Sequence, residues 1–535
     1  MGKNNGFGII AKIILLLFGV VFFFYPLAVL FFRTIFLTLN FSLFLEIISA
    51  NSHLIWNSFY QAGVSTFVSV LIGVPAAYLI VKRDFFGKKV IKAFSYIPFV
   101  FPSILVVISF VIIFGNNGWI NHFLKSFFGL GHIQFIYGFQ GIILAHAFYN
   151  FPIIMHFVST AFENLDVSMK EAARTLGANK LQVFFKITLP QIMPSLLSGA
   201  LLVFIYCFMS FAIVLSFGGV QFSTLEVEIY KQISRNLNFT VGSVLALVQF
   251  FILFVVAVIF HYFSSKKIIT TKKYFEKVKK LNPFSIRGFI EVSFLILLFA
   301  FIFLPLLSLI LFAFFDFSTM QFTFSSFEKI FLSDQSGLGL SAISSIGYSL
   351  FLAFFSAAVA TLTALIAAFR KNQSFIIATF VSSTIAISIM TLGFGYYLGF
   401  GSGNLIIIGF GHAILAFPFA YRIIKNSLNR IDVECIEVAH TLGANNFQVF
   451  KFVQLPRIKK AIFVSIAFSF AISLAELGLV LLLYDGVFAT MPVYVYRLLS
   501  TFDLHAAAAM GVILISISFL CFYAVEYFSD FEVVV

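Results

Sequence analysis

Long apolar runs separated by short polar breaks give this chain its pattern. Twelve runs can be marked, near 9–32, 55–81, 91–114, 138–161, 193–217 and 241–263, then 289–315, 342–369, 375–398, 403–424, 459–484 and 505–528. About 20 apolar residues suffice to cross a bilayer as a helix. Hydrocarbon offers no hydrogen-bond partner to a bare backbone, so each run is predicted to be helical. The alternating pattern of a membrane barrel is absent. The predicted fold is therefore all-α and polytopic, with about twelve spanning helices. The first run, from Ile9, is longer than the roughly 7–15 apolar residues of a cleaved leader, and no small-x-small site follows it. It reads as a spanning helix.

Two of the polar breaks are related. Glu171–Pro190 (EAARTLGANKLQVFFKITLP) recurs without a gap as Glu437–Pro456 (EVAHTLGANNFQVFKFVQLP), 266 residues later. His146-Ala147 and Phe151-Pro152 recur at the same spacing as His412-Ala413 and Phe417-Pro418. Nearer the start of each half, Ser58 matches Ser349, 291 residues on, so the first half carries 25 extra residues, placed in the loop 116–140. Six helices precede the second copy, so both copies start on the same side: the repeats are parallel, related by an axis along the membrane normal. The expected organisation is a first repeat over 1–263 with its insert at 165–190, a linker over 264–287, and a second repeat over 288–535 with its insert at 431–456.

Composition agrees: 61% of residues are hydrophobic and only 10% charged, against roughly 25% charged in soluble domains. The net charge of +13 could suggest nucleic acid, but its placement points elsewhere. With the N-terminus inside, 28 of the 34 Lys and Arg fall in inside loops and six outside. That bias orients the chain by the positive-inside rule, with both termini and both inserts cytoplasmic, and it sets the basic residues beside anionic headgroups. No nucleic-acid partner is expected. The run Ser264–Arg287, with eight Lys or Arg against Glu276, reads as a basic linker between repeats. Cys207, Cys435 and Cys521 lie far apart, without metal-ligand or redox spacing, so no metal site is expected.

Each insert begins with small residues, turns at Gly-Ala-Asn, where glycine takes positive φ and Asn tolerates it, and continues as a second amphipathic stretch with Val183, Phe184, Ile187 and Leu189 apolar. Pro190 is expected to break the helix before the next span. A protruding helix of this kind can fit a groove on a soluble partner. The pattern Glu171-Ala-Ala-x3-Gly177-x9-Ile187-x-Leu189-Pro190 resembles the EAA motif of ABC importer permeases; the second copy departs mildly, with Val438 and Val453. Over most of its length the chain is similar to the fused permeases of the thiamine and ferric-iron importers, through Gly118-Trp119, 137–152, 215–234 and 489–499. The stretch 488–496, FATMPVYVY, leans towards thiamine.

The resemblance implies a type I importer permease of the bacterial inner membrane, with a pore between two halves. It implies two copies of a cytoplasmic ATPase, one under each insert, and a periplasmic or lipid-anchored substrate-binding protein. No Walker A sequence is present. ATP and Mg would then be bound by the partner ATPase, this chain would hold no cofactor and carry no catalytic residue, and it would not be an enzyme. The coupling residues that the resemblance carries over are Glu171, Ala172, Ala173, Gly177, Leu189 and Pro190, with Glu437, Ala439, Gly443, Leu455 and Pro456. Thiamine or its phosphate esters is the expected substrate, and ferric iron the alternative. An ion-coupled secondary transporter, which would want several intramembrane ionisable groups, is a remoter reading.

Within the spans, Glu476 stands out. A carboxylate at mid-membrane costs roughly 2.5–3.5 kcal/mol on insertion scales and should face protein or a cavity. It is placed inside the eleventh helix, either as partner to a neighbouring helix or on the substrate path; its repeat equivalent is Ser210, and Tyr206 shares that face. His146 and His412 are read as hydrogen-bonded structural residues. Pro98, Pro102, Pro152 and Pro418 are read as helix kinks.

Overall fold

The computed structural model describes residues 13–37, 41–94, 101–129, 133–219, 222–264, 279–316, 321–332, 340–369, 380–381, 383–384 and 387–528. Among these, eleven helices are long and apolar enough to cross a membrane: Ile13–Phe36, Ser52–Lys82, Ser103–Phe128, Phe139–Glu163, Lys180–Phe208, Phe239–Phe260, Ile286–Phe314, Ala342–Ala368, Leu405–Leu428, Asn446–Ala475 and Leu504–Cys521. Most of the run 375–398 lies outside the described residues; its described end belongs to a shorter apolar helix, Ile389–Phe400.

The third helix of each half is a matched pair. Ser103–Phe114 and Ile389–Phe400 both have 12 residues, 286 positions apart. The first leads, through extended Gly115 and Gly118, into an amphipathic helix, Trp119–Phe128, that ends at left-handed Gly129. Most of the 25 extra residues therefore fall after the third helix. Pro102 is the N-cap of its helix, while Pro152 and Pro418 lie within continuous helices. Pro98 lies outside the described residues.

Packing divides the chain differently from the repeat. One compact unit comprises residues 48–228 and 251–312, the other 1–47, 229–250 and 313–535. In the first, Ser52–Lys82 buries a stripe of small residues, Ser58, Ala62, Ser65, Ser69, Gly73 and Ala76. Helices lacking a hydrophobic drive between them associate through such close-approach faces. A Cβ at Gly73 would meet Ile154 and the Phe151 carbonyl at 2.7–2.8 Å, which places Phe139–Glu163 directly against this stripe. Phe301, from Ile286–Phe314, packs edge-on against Phe148.

In the second unit Ala342–Ala368 presents the corresponding face, Ser345, Ser349, Ala353, Ser356, Ala360 and Ala364. The chain's first helix belongs to this unit. The Tyr396 hydroxyl donates to the Phe22 carbonyl at 2.7 Å, and Phe22 stacks on Phe410 with centroids 3.8 Å apart. The first helix of each sequence half is thus built into the unit that holds most of the other half.

One polar detail recurs in both units. Ser58 Oγ accepts from the Leu225 N–H at 2.9 Å, and its equivalent Ser349 Oγ accepts from the Met491 N–H at 2.7 Å. Each hydroxyl holds the start of a short helix, Leu225–Ser234 or Met491–Ser500.

Candidate functional site

The two polar inserts fold alike, one in each unit. In the first, Val167–Thr175 is a helix capped by Asp166, whose carboxylate accepts from the Ser168 N–H. The helix ends in a double closure: Gly177 N–H donates to the Arg174 carbonyl at 3.0 Å, and Ala178 N–H to the Ala173 carbonyl at 2.9 Å. The second insert repeats this after Val433–Thr441, with Gly443 to His440 at 2.9 Å and Ala444 to Ala439 at 3.0 Å. This is the Schellman arrangement, which requires a left-handed residue just past the helix. Gly177 has φ +85° and Gly443 φ +86°.

After each turn comes a reciprocal cap. Asn179 accepts from the Gln182 N–H and returns its own N–H to the Gln182 side chain, both at 2.9 Å. Asn445 and Gln448 do the same at the same distances. Such boxes satisfy two orphan donors of the following helix at once. Val183 and Val449 are the buried anchors of the second stretches.

Pro190 does not break the helix as expected, and neither does its counterpart Pro456. A π-helical turn, Phe184–Thr188 or Val449–Gln454, runs straight into Leu189–Phe208 or Leu455–Ala475. Leu189 and Leu455 donate five residues back, to the carbonyls of Phe184 and Phe450. The wider turn changes the hydrogen-bond register where proline lacks an N–H, so the helix continues. The insert is thereby joined to the spanning helix by unbroken helical backbone.

Glu171, Ala172, Glu437 and both glycines are exposed, while Ala173, Ala439 and Leu189 are half-buried. The outermost apolar side chains are ones that the motif did not mark. Leu176 is 88% exposed and Leu442 83%, each just before the turn glycine. The signal for them was their identity in both copies. A single exposed apolar side chain is ordinary on a protein surface; what sets these two apart is that they recur at the same point of both inserts.

The intramembrane residues fall in different units: Tyr206 and Ser210 in one, Glu476 in the other. Glu476 does not lie inside a helix. Leu455–Ala475 ends there, and Gly478–Leu483 begins two residues later. Its carboxylate accepts from the N–H groups of Gly478 at 2.7 Å and Leu479 at 3.1 Å, while His412 Nε2 stands 3.3 Å from Oε2. A helix start leaves N–H groups without partners, and the carboxylate satisfies two of them, which is why a buried acid is tolerated here. His412 Nδ1 lies 2.7 Å from Ser473 Oγ.

The first half breaks at the same place, between Leu189–Phe208 and Ala212–Phe217, but without a carboxylate. There Gln61 donates to the Cys207 carbonyl at 2.7 Å, Asn150 to Cys207 Sγ at 3.3 Å, and His146 Nδ1 meets Ser65 Oγ at 3.0 Å. Ser210 and Tyr206 are half-buried beside this cluster.

Residues 69–270 match the family model described as the binding-protein-dependent transport system inner membrane component. The chain is also similar over nearly its whole length to a curated protein of Haemophilus influenzae, at 27% identity over 499 residues, 89% of each chain. The stretch 69–270 belongs to this permease family, and the chain as a whole is similar to fused permeases. The Haemophilus relative is named a thiamine transport system permease protein. A protein of the same name from Escherichia coli is 24% identical over 479 residues, 89% of this chain and 88% of that one. A molybdenum transport system permease protein of Haemophilus influenzae is 33% identical over 136 residues, 25% of this chain and 58% of that one. The permease is therefore a multi-pass inner-membrane protein of a binding-protein-dependent system.

Proposed function

We propose that the permease forms the membrane passage for thiamine or its phosphate esters, driven by a separate cytoplasmic ATPase that docks on the inserts 165–190 and 431–456. The observation that carries the docking half is the duplicated insert: two loops with the same helix closure, capping box and exposed leucine, each continuous with a spanning helix. A pull on the turn beyond Leu176 or Leu442 reaches the spanning helix through the capping box and the unbroken helical backbone that starts at Lys180 or Asn446. Similarity over 89% of the chain to relatives named for thiamine transport supports the substrate.

In this reading both inserts and both termini face the cytoplasm, ATP and Mg stay on two ATPase subunits, and a periplasmic or lipid-anchored binding protein delivers the substrate. ATP binding draws the two inserts together and turns the passage outward; hydrolysis resets it. Glu171, Ala172, Ala173, Gly177, Leu189 and Pro190, with Glu437, Ala439, Gly443, Leu455 and Pro456, form the coupling element. Glu476 holds a helix break, and Tyr206 and Ser210 stand at the equivalent break. The deciding experiment is uptake of labelled thiamine and of ferric iron in cells with and without this chain. Thiamine uptake should depend on it; dependence of iron uptake alone would overturn the substrate.

A further inference from the structure

The described end of the basic linker is not loose. Its residues Lys279 and Lys280 pair in parallel with Arg83 and Asp84, just past the helix Ser52–Lys82. Leu281 N–H extends the pairing to the Asp84 carbonyl at 3.0 Å. Beside it, Glu291 accepts from Arg83 at 2.7 Å and from Arg287 at 2.9 Å, and Arg287 reaches the Tyr78 hydroxyl at 2.9 Å. Two segments nearly 200 residues apart in sequence are thereby clasped into one surface within a single unit.

That surface has a distinct chemistry. Among the described residues of this surface, Lys82, Arg83, Lys88, Lys89, Lys280 and Arg287 stand beside two carboxylates, Asp84 and Glu291; both arginines share Glu291, and Lys88 donates to the Arg83 carbonyl at 3.0 Å. Among the cations are fully exposed aromatics: Phe86 at the tip of the turn closed by Gly87, and Phe284 ahead of the next helix. Ile286, Phe289 and Ile290, also exposed, open that spanning helix. The surface therefore stands where a spanning helix enters the bilayer. Ser52–Lys82 has 31 residues, about 46 Å at 1.5 Å per residue, against a hydrocarbon core of about 30 Å. Its basic end therefore reaches the headgroup layer.

We propose that this clasp is a docking surface for anionic phospholipid headgroups of the cytoplasmic leaflet. The lysines and Arg287 take the phosphates, while Phe86 and Phe284 insert among the acyl chains. Clusters of roughly four to eight basic residues beside a spanning helix attract such lipids, and aromatic side chains at the polar–apolar boundary add apolar burial. Bound lipid fastens the linker to the first cytoplasmic loop, so the repeats are joined through the membrane surface as well as through the chain. The inference rests on the cytoplasmic placement of this face under the proposed function.

The test uses the full chain purified with its ATPase, with retained lipid counted by native mass spectrometry from membranes containing phosphatidylcholine with or without cardiolipin. Wild-type complex should retain cardiolipin in preference to phosphatidylcholine. Lys89→Gln with Lys280→Gln should lower that retention several-fold, and Phe86→Ser with Phe284→Ser should lower it less. Lys125→Gln, placed on the opposite face, should leave it unchanged. Equal retention in all variants overturns the inference, as does loss of the ATPase subunits with lipid retention intact, which would make the surface a protein interface. Orientation is read separately, from Lys89→Cys in a chain whose three cysteines are serine. Labelling by an impermeant thiol reagent only in inside-out vesicles upholds the cytoplasmic placement. Labelling in intact cells overturns that placement, and the lipid inference with it.

Discussion

The two polar inserts differ in sequence at nearly half their positions yet share the same backbone closures, on Ala173 and Ala439, and the same capping boxes, at Asn179 and Asn445, although Asp166 caps its helix and Asp432 does not. The two breaks in the spanning helices that follow them do the reverse. They occur at the same repeat position but are held by different chemistry: Glu476 with His412 in one, Gln61, Asn150 and Cys207 in the other. The difference separates two demands on a duplicated protein. Under the proposed function the inserts meet two copies of one partner, and such a surface must stay the same twice. An interior that meets an asymmetric small molecule is free to diverge, provided each half satisfies its own buried polar groups.

The sharpest break of this comparison is Glu476→Ala. It leaves the Gly478 and Leu479 N–H groups without their acceptor inside the membrane and removes the carboxylate that faces His412 Nε2 at 3.3 Å. Each buried group left unsatisfied costs about 1–3 kcal/mol, so the variant should lose several kcal/mol, seen as a large drop in thermal midpoint in detergent and in uptake. Glu476→Gln keeps an acceptor oxygen and should lose far less. Ser210→Ala, at the equivalent position, should stay within about 0.5 kcal/mol of wild type, as surface or partly buried changes do when no special feature is lost. Equal effects at Glu476 and Ser210 would mean that the carboxylate does not hold the break.

Next in size is the pair Gly177→Val and Gly443→Val. There is open space for a Cβ at both glycines, so the penalty comes from backbone alone: left-handed φ costs an L-residue about 1–2 kcal/mol, and more for a β-branched one. The turn should open, and substrate-stimulated ATPase activity of the assembled complex should fall at least about tenfold, the loss expected for about 1.4 kcal/mol. Insertion into the membrane should be unchanged. Because the two closures are alike, either single variant should show much the same defect.

The repeat made much of this legible. Apolar runs located the helices, and two polar copies 266 residues apart located the inserts and their turn glycines. What escaped was whatever depends on packing in three dimensions. Nothing in the local pattern tells that the first helix of each half enters the other unit, because apolar residues do not name their neighbours. Pro190 pointed to a helix break because proline's missing N–H is a local fact, whereas the π-turn that absorbs it spans five residues before it. Glu476 was visible as an anomaly, but its capping role needed the helix break, which the continuous run 459–484 conceals.

A smaller effect should follow Leu176→Asp or Leu442→Asp. Neither leucine carries packing within the permease, so stability should hold while co-purification of the ATPase falls. Matched losses from the two single variants would uphold the equivalence of the inserts. A loss confined to one would show that one docking point dominates.

The finest comparison is Asn179→Ala against Asn445→Ala. Each removes one capping box, an interaction of about 1 kcal/mol, from a short stretch that leads into a spanning helix. The predicted outcome is a modest and equal rise in amide exchange confined to the changed insert, at Lys180–Val183 in one case and Asn446–Gln448 in the other. Unequal exchange would place extra support around one box, and the inserts would then be alike in geometry but not in the energy that maintains it. Equal exchange in the free permease that becomes unequal once the ATPase is bound would locate the asymmetry in the partner's grip rather than in this chain.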